Sequence, residues 1–127
     1  ARTEAFRLIE QMKIPWNNLI LGGFSQGAML SLDLAMRAPE TPRGLILLSG
    51  TMHSEPELKD LIHKRAGLKY FQSHGKQDTV LGFKQAQQME TFLSQGGLKG
   101  RLMSFNGGHE IPQFVLAELE RYLNEIL

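Results

Sequence analysis

Three short segments carry side chains whose types and spacing could perform nucleophilic catalysis. The first is Gly23-Phe24-Ser25-Gln26-Gly27, a G-x-S-x-G pentapeptide. A serine on a tight strand-to-helix turn has strained backbone angles. Side chains two residues to either side are expected to collide there, so glycine is expected at both Gly23 and Gly27. Such a turn exposes the hydroxyl at the positive end of the following helix, where a developing oxyanion is favoured. The second segment, His74-Gly75-Lys76-Gln77-Asp78, offers an acid, and the third, Gly107-Gly108-His109-Glu110, offers a base. Together they describe a serine hydrolase site: Ser25 attacks, His109 takes and returns the proton, and Asp78 holds the imidazolium.

Other residues compete for these roles on weaker grounds. His53 also follows a strand-like run, but it precedes Asp78 in the chain and adjoins a capped helix start. His63 falls within a helical segment and is expected to face solvent. His74 stands at a strand end, where a structural role is the expectation. Asp33 and Asp60 lie on helices, and Glu110 adjoins His109 too closely for an easy bond to its ring. The four histidines show neither an H-E-x-x-H pattern nor paired spacing, so no metal site is expected, and His53, Glu55 and Glu57 read as a loop and a helix cap. No glycine-rich dinucleotide or phosphate loop is present, and no cofactor is expected. Val80, Leu81 and Phe83, just beyond Asp78, read either as an acyl pocket or as core.

The elements that must position these residues are regularly punctuated. Ala5, Leu8, Ile9 and Met12 recur at helical spacing, and Pro15 ends that helix. Residues 18–24 form a short apolar run ending in glycines, as a buried strand does. Residues 25–38 are apolar on nearly every side and predict a largely buried helix, closed by Pro39 and Pro42. Residues 44–49 predict a second strand. Ser54-Glu55-Pro56-Glu57 has the capping-box pattern and predicts a helix running to about Arg65. A third strand is expected over 68–74 and a helix over 82–95, with Phe83, Ala86, Met89 and Leu93 on one face and Gly96-Gly97 as its stop. A fourth strand follows over 101–105. Pro112 suits the first turn of a last helix that points Val115, Leu119, Tyr122 and Ile126 inward.

Alternating helices and strands, with the first two strands continuously apolar, predict an α/β fold: one parallel sheet of about four strands covered by helices on both faces. In such sheets the ligand site lies beyond the carboxyl ends of the strands. Ser25, Asp78 and His109 each follow a predicted strand. No repeat or linker interrupts the sequence, so residues 1–127 read as one domain.

Composition narrows the function further. The 127 residues carry 14 Lys+Arg against 13 Asp+Glu, a formal charge of +1, which lacks the basic footprint of a nucleic-acid or polybasic membrane binder. At 42% hydrophobic and 21% charged, the chain is not of the disordered class. The apolar run at 45–48 is too short to span a bilayer, and without a basic n-region ahead of an apolar h-region no retained secretion signal is expected. Cysteine is absent, so disulfides and thiolate chemistry are excluded and a cytoplasmic location is expected.

The segments GFSQGAM around Ser25, HGKQDTVL around Asp78 and NGGHEIP around His109 resemble the phospholipase/carboxylesterase family of α/β-hydrolases, which includes acyl-protein thioesterases. Their order, Ser then Asp then His, is that of the α/β-hydrolases. The resemblance covers essentially the whole chain. It implies a cofactor-free serine esterase or thioesterase on small carboxylic esters, with Ser25, Asp78 and His109 as triad and the backbone N–H of Gln26 as one oxyanion donor. It also implies something missing. Members of the family carry further strands ahead of this region, with a loop that supplies a second oxyanion N–H, and nothing before Ser25 matches that loop. The strand before Ser25, central in the family, then becomes an apolar edge that calls for pairing. The expected partner is a complementary N-terminal half or another copy of the chain.

Overall fold

The computed structural model describes residues 2–52 and 55–127. Helix α1 (Arg2–Met12) leads through a 3₁₀ turn (Trp16–Asn18) into β1 (Ile20–Phe24), followed by α2 (Gln26–Arg37) and β2 (Gly44–Leu48). A short α3 (Glu55–Leu58) and a 3₁₀ turn (Ile62–Arg65) precede β3 (Tyr70–Gly75). Then come α4 (Phe83–Gln95), β4 (Leu102–Phe105) and α5 (Gln113–Ile126). The strands lie in the order β1-β2-β3-β4, and each neighbouring pair is parallel. All four therefore end on one side of the sheet.

Strand alternation divides the core in two. Leu45, Leu47 and Tyr70 point to one face, where Ala28, Leu32, Ala35 and Met36 of α2 and Met89 and Leu93 of α4 bury them. Leu48 and Phe105 point to the other, against Val115 of α5 and the half-buried Ile46, Phe71 and Met103. Both faces thus carry helices, as the apolar runs predict, α2 and α4 on one and α5 on the other. Strand β1 pairs only with β2 among the described residues, and its Gly22 and Phe24 are exposed.

Three expectations need correction. The helix expected over 54–65 is broken, and its capping residue Ser54, with the neighbouring His53, lies outside the described residues. Leu58 and Ile62 are both buried, as the helical spacing requires. Between the two pieces the chain makes i→i+3 bonds, Leu61 N–H to Leu58 and Lys64 N–H to Leu61. The segment ends at Arg65, whose guanidinium donates to the carbonyls of Ala35 (2.6 Å) and Ala38 at the end of α2. Pro112 flanks α5 rather than opening it; its backbone is extended, and its carbonyl accepts the Val115 N–H. In α1 only Ile9 is buried, whereas Leu8 (61% exposed) and Met12 (46%) are not covered.

Besides its apolar packing, helix α5 is tied to the sheet by the Tyr122 hydroxyl. Tyr122 Oη accepts the Leu45 N–H (2.9 Å) and donates to the Lys69 carbonyl (2.7 Å), joining the start of β2 to the start of β3. Burial pushes its pKa up to about 12, so the hydroxyl remains a donor at any ordinary pH. Tyr122→Phe leaves a buried N–H and a carbonyl without this partner and is expected to lower stability by about 1–3 kcal/mol, measured by urea unfolding. An unchanged midpoint would mean that the hydroxyl is not a fastening.

Candidate active site

Ser25 follows β1 directly and sits at φ 59°, ψ −117°, a backbone that L-residues rarely adopt. Two features hold it there. Its N–H donates to the Leu48 carbonyl at the end of β2 (2.8 Å), and its own carbonyl accepts the Ala28 and Met29 N–H groups of α2. A serine at this position usually caps the helix. Here no side-chain cap forms, and Oγ lies 2.9 Å from His109 Nε2 instead. The Gln26 N–H opens the helix, where an N–H has no partner one turn back.

The two elbow glycines differ. A Cβ on Gly23 would stand 2.5–2.8 Å from the backbone of Gly27, which is impossible without moving the turn. A Cβ on Gly27 would meet nothing within 4 Å. Glycine is therefore required sterically at Gly23 and not at Gly27, a correction to the symmetrical expectation. Gly27→Ala should leave stability unchanged or raise it by about 0.4–1 kcal/mol, because alanine loses less backbone entropy in a helix. Gly23→Ala should cost about 1–3 kcal/mol by overpacking. Parallel denaturation curves test the contrast, and equal losses at the two positions would refute it.

Asp78 lies in the turn after β3, its side chain fully buried. Oδ1 accepts the N–H groups of Val80 (2.8 Å) and Leu81 (2.9 Å), while Oδ2 faces His109 Nδ1 at 2.8 Å. Burial alone would raise the carboxyl's pKa, but the Leu81 N–H, the His109 ring and the Val80 N–H outweigh it and hold Asp78 below the usual carboxylate range. The acid is therefore ionised at neutral pH and can hold a protonated imidazole.

His109 projects from the loop after β4. That loop is locked to the acid's turn: Lys76 and Gln77 donate their N–H groups to Phe105 (2.8 Å) and Gly107 (2.9 Å). The two loops approach so closely that a Cβ on Gly75 would run into the carbonyls of Gly107 and Gly108. Glu110, adjacent to the base, turns away; its carboxylate accepts the Gly108 N–H (3.1 Å) and braces the loop. Phe24 packs its ring on the imidazole at a centroid distance of 4.7 Å. In the sequence Phe24 is indistinguishable from any other apolar strand residue, so this contact had no signal.

Ser25, His109 and Asp78 are thus hydrogen-bonded in series, from segments 31 and 84 residues apart. Such a series can draw a proton from the hydroxyl and stabilise the resulting imidazolium. Val80, Leu81 and Phe83 do flank the acid. Val80 is 64% exposed, and Leu81 and Phe83 are half-buried; it is the backbone of Val80 and Leu81 that serves Asp78. A groove of about 830 Å³ runs instead between α4 and residues 55–63, away from Ser25 and His109. Among the described residues, no three His, Asp or Glu side chains are grouped to hold a metal, and no helix is long and apolar enough to cross a membrane.

A parallel sheet with this nucleophile turn and helices on both faces is the α/β-hydrolase fold. Residues 6–127 match the phospholipase/carboxylesterase family, and the chain belongs to it. It is 36% identical over 120 residues to an acyl-protein thioesterase 1 of Eremothecium gossypii, covering 86% of this chain and 49% of that protein. A probable carboxylesterase of Oryza sativa is 30% identical over 116 residues, covering 90% of this chain and 44% of the rice protein. The crystal structure of esterase PE8 superposes with a TM-score of 0.87 at 29% identity, covering 99% of this chain and 58% of that one. The chain spans about half the length of the curated relatives it matches.

Proposed function

We propose that the chain carries the catalytic triad of a serine carboxylesterase acting on small carboxylic esters. The observation behind this reading is the hydrogen-bonded series Ser25 Oγ–His109 Nε2 (2.9 Å) and His109 Nδ1–Asp78 Oδ2 (2.8 Å). Ser25 Oγ attacks the ester carbonyl as His109 Nε2 takes its proton, and Asp78 holds the imidazolium. The tetrahedral oxyanion is met by the Gln26 N–H at the positive end of α2. Collapse expels the alcohol, protonated by His109, and leaves an acyl-Ser25. Water, deprotonated by His109, then releases the acid. No cofactor takes part. Thioester or lysophospholipid cleavage on the same triad is the alternative, supported by the acyl-protein thioesterase relatives. A chain without cysteines suits the cytoplasm.

Among the described residues this reading gives the oxyanion one donor, the Gln26 N–H, and loss of one such donor costs about 2.7–4 kcal/mol in the transition state. On its own the chain should therefore turn over about 100- to 1000-fold more slowly than a complete site. Pairing along β1 completes it in this proposal, either by a complementary N-terminal half or by a second copy. The exposed Phe24 and the edge of β1, unpaired among the described residues, support that reading. They also favour a second reading, in which the chain alone is silent and self-associates.

Treatment with a fluorophosphonate followed by intact-mass spectrometry tests the triad. Stoichiometric adduct on the parent and none on Ser25→Ala is the expected result; no adduct on well-folded protein favours the silent reading. Sedimentation equilibrium tests the edge separately. Self-association, or uptake of an added N-terminal half, is expected, and a folded monomer that ignores both refutes the pairing.

A further inference from the structure

The proposed mechanism makes no use of His74, yet this histidine is fully buried at the end of β3 and adjoins the acid. Its Nε2 lies 2.7 Å from the Leu81 carbonyl and 3.3 Å from Asp78 Oδ2. A carbonyl oxygen only accepts, so Nε2 carries a hydrogen. Nδ1 is buried and has no hydrogen-bond partner. A leucine would fill the same space without burying an orphan nitrogen. A polar group kept at such cost points to a use for the other end of the ring.

That use is visible in the turn. The N–H groups of Val80 and Leu81 close on Asp78 Oδ1 from within. Leu81 is thereby held at its N–H by the acid and at its carbonyl by His74. The turn is clamped on both sides, and the second carboxylate oxygen is left pointing at His109. Phe83, with its ring centroid 6.2 Å from that of His74, packs beside the clamp.

We propose that His74 is a positioning residue, whose Nε2–H clasps the Leu81 carbonyl and so fixes the turn that aims Asp78 Oδ2 at His109. This rests on the triad reading of Ser25, His109 and Asp78. His74 itself touches no substrate and passes no proton. Its effect is on the fraction of time the acid and base are aligned, so it acts on turnover and not on substrate binding.

Two variants that differ by one methylene separate positioning from packing. In His74→Gln the amide nitrogen falls near the site of Nε2 and can donate to Leu81. In His74→Asn it falls near Nδ1 and cannot reach. The readouts are the downfield proton NMR resonance of the His109 Nδ1–H shared with Asp78, taken on the folded chain, and the rate of fluorophosphonate labelling. The Gln variant is expected to keep the resonance and a parent-like rate. The Asn variant is expected to lose or broaden the resonance and to label about ten- to hundredfold more slowly. Where an ester is turned over, kcat should fall with KM unchanged. An Asn variant with the parent's resonance and rate overturns the proposal. So does a folded Gln variant that has lost both, which remains decisive if the Asn chain does not fold. A parent chain with neither resonance nor labelling overturns the triad reading, and this inference with it.

Discussion

An ionised carboxylate with no exposed side-chain surface has to find its solvation inside the protein, and the architecture around Asp78 is organised by that need. Its charge is met by two N–H groups of its own turn on one oxygen and by His109 on the other. These donors outweigh the cost of burial and keep the group charged. To collect them, the chain must fold a tight turn after β3 and bring a loop from β4 within hydrogen-bonding distance. Gly75 permits that contact, and the bonds from Lys76 and Gln77 secure it.

The parallel sheet makes such convergence possible. Each strand ends on the same side, so residues far apart in sequence are delivered to one edge without long excursions of the chain. Ser25 is supported differently from Asp78 and His109. Its backbone is strained, and the strain is maintained by the bond to Leu48, by the first turn of α2 and by the missing side chain at Gly23. Two local solutions, one of charge compensation and one of steric accommodation, thus meet across His109.

Much of this was legible in the sequence because the strands are apolar runs and the helices have clear stops. From β1 to β2, and from β3 onward, the elements came within two residues of their observed bounds. Between β2 and β3 the capping-box pattern predicted one helix to about Arg65, and the bonds from Arg65 to the last carbonyls of α2 had no signal, since no local pattern reports a partner 27 to 30 residues away. Gly27 misled for a similar reason: the pentapeptide shows two glycines, but only three-dimensional contact distinguishes the crowded one from the free one. Leu8 and Met12 have the spacing of a buried stripe, and nothing in the described structure covers them. The contacts of Phe24 and His74 depend on which side chains the topology brings opposite them, and a single apolar or imidazole residue carries no such address.

The backbone bonds between the turn after β3 and the loop after β4 have a mechanical consequence. They make acid and base a single rigid arm, rooted in β3 and β4, whereas the serine is rooted in β1, at the far side of β2. Within the arm two segments are tied by backbone bonds, whereas the arm meets Ser25 through one side-chain hydrogen bond, that of His109 at 2.9 Å. The contact between Ser25 and His109 is therefore the least braced joint of the series.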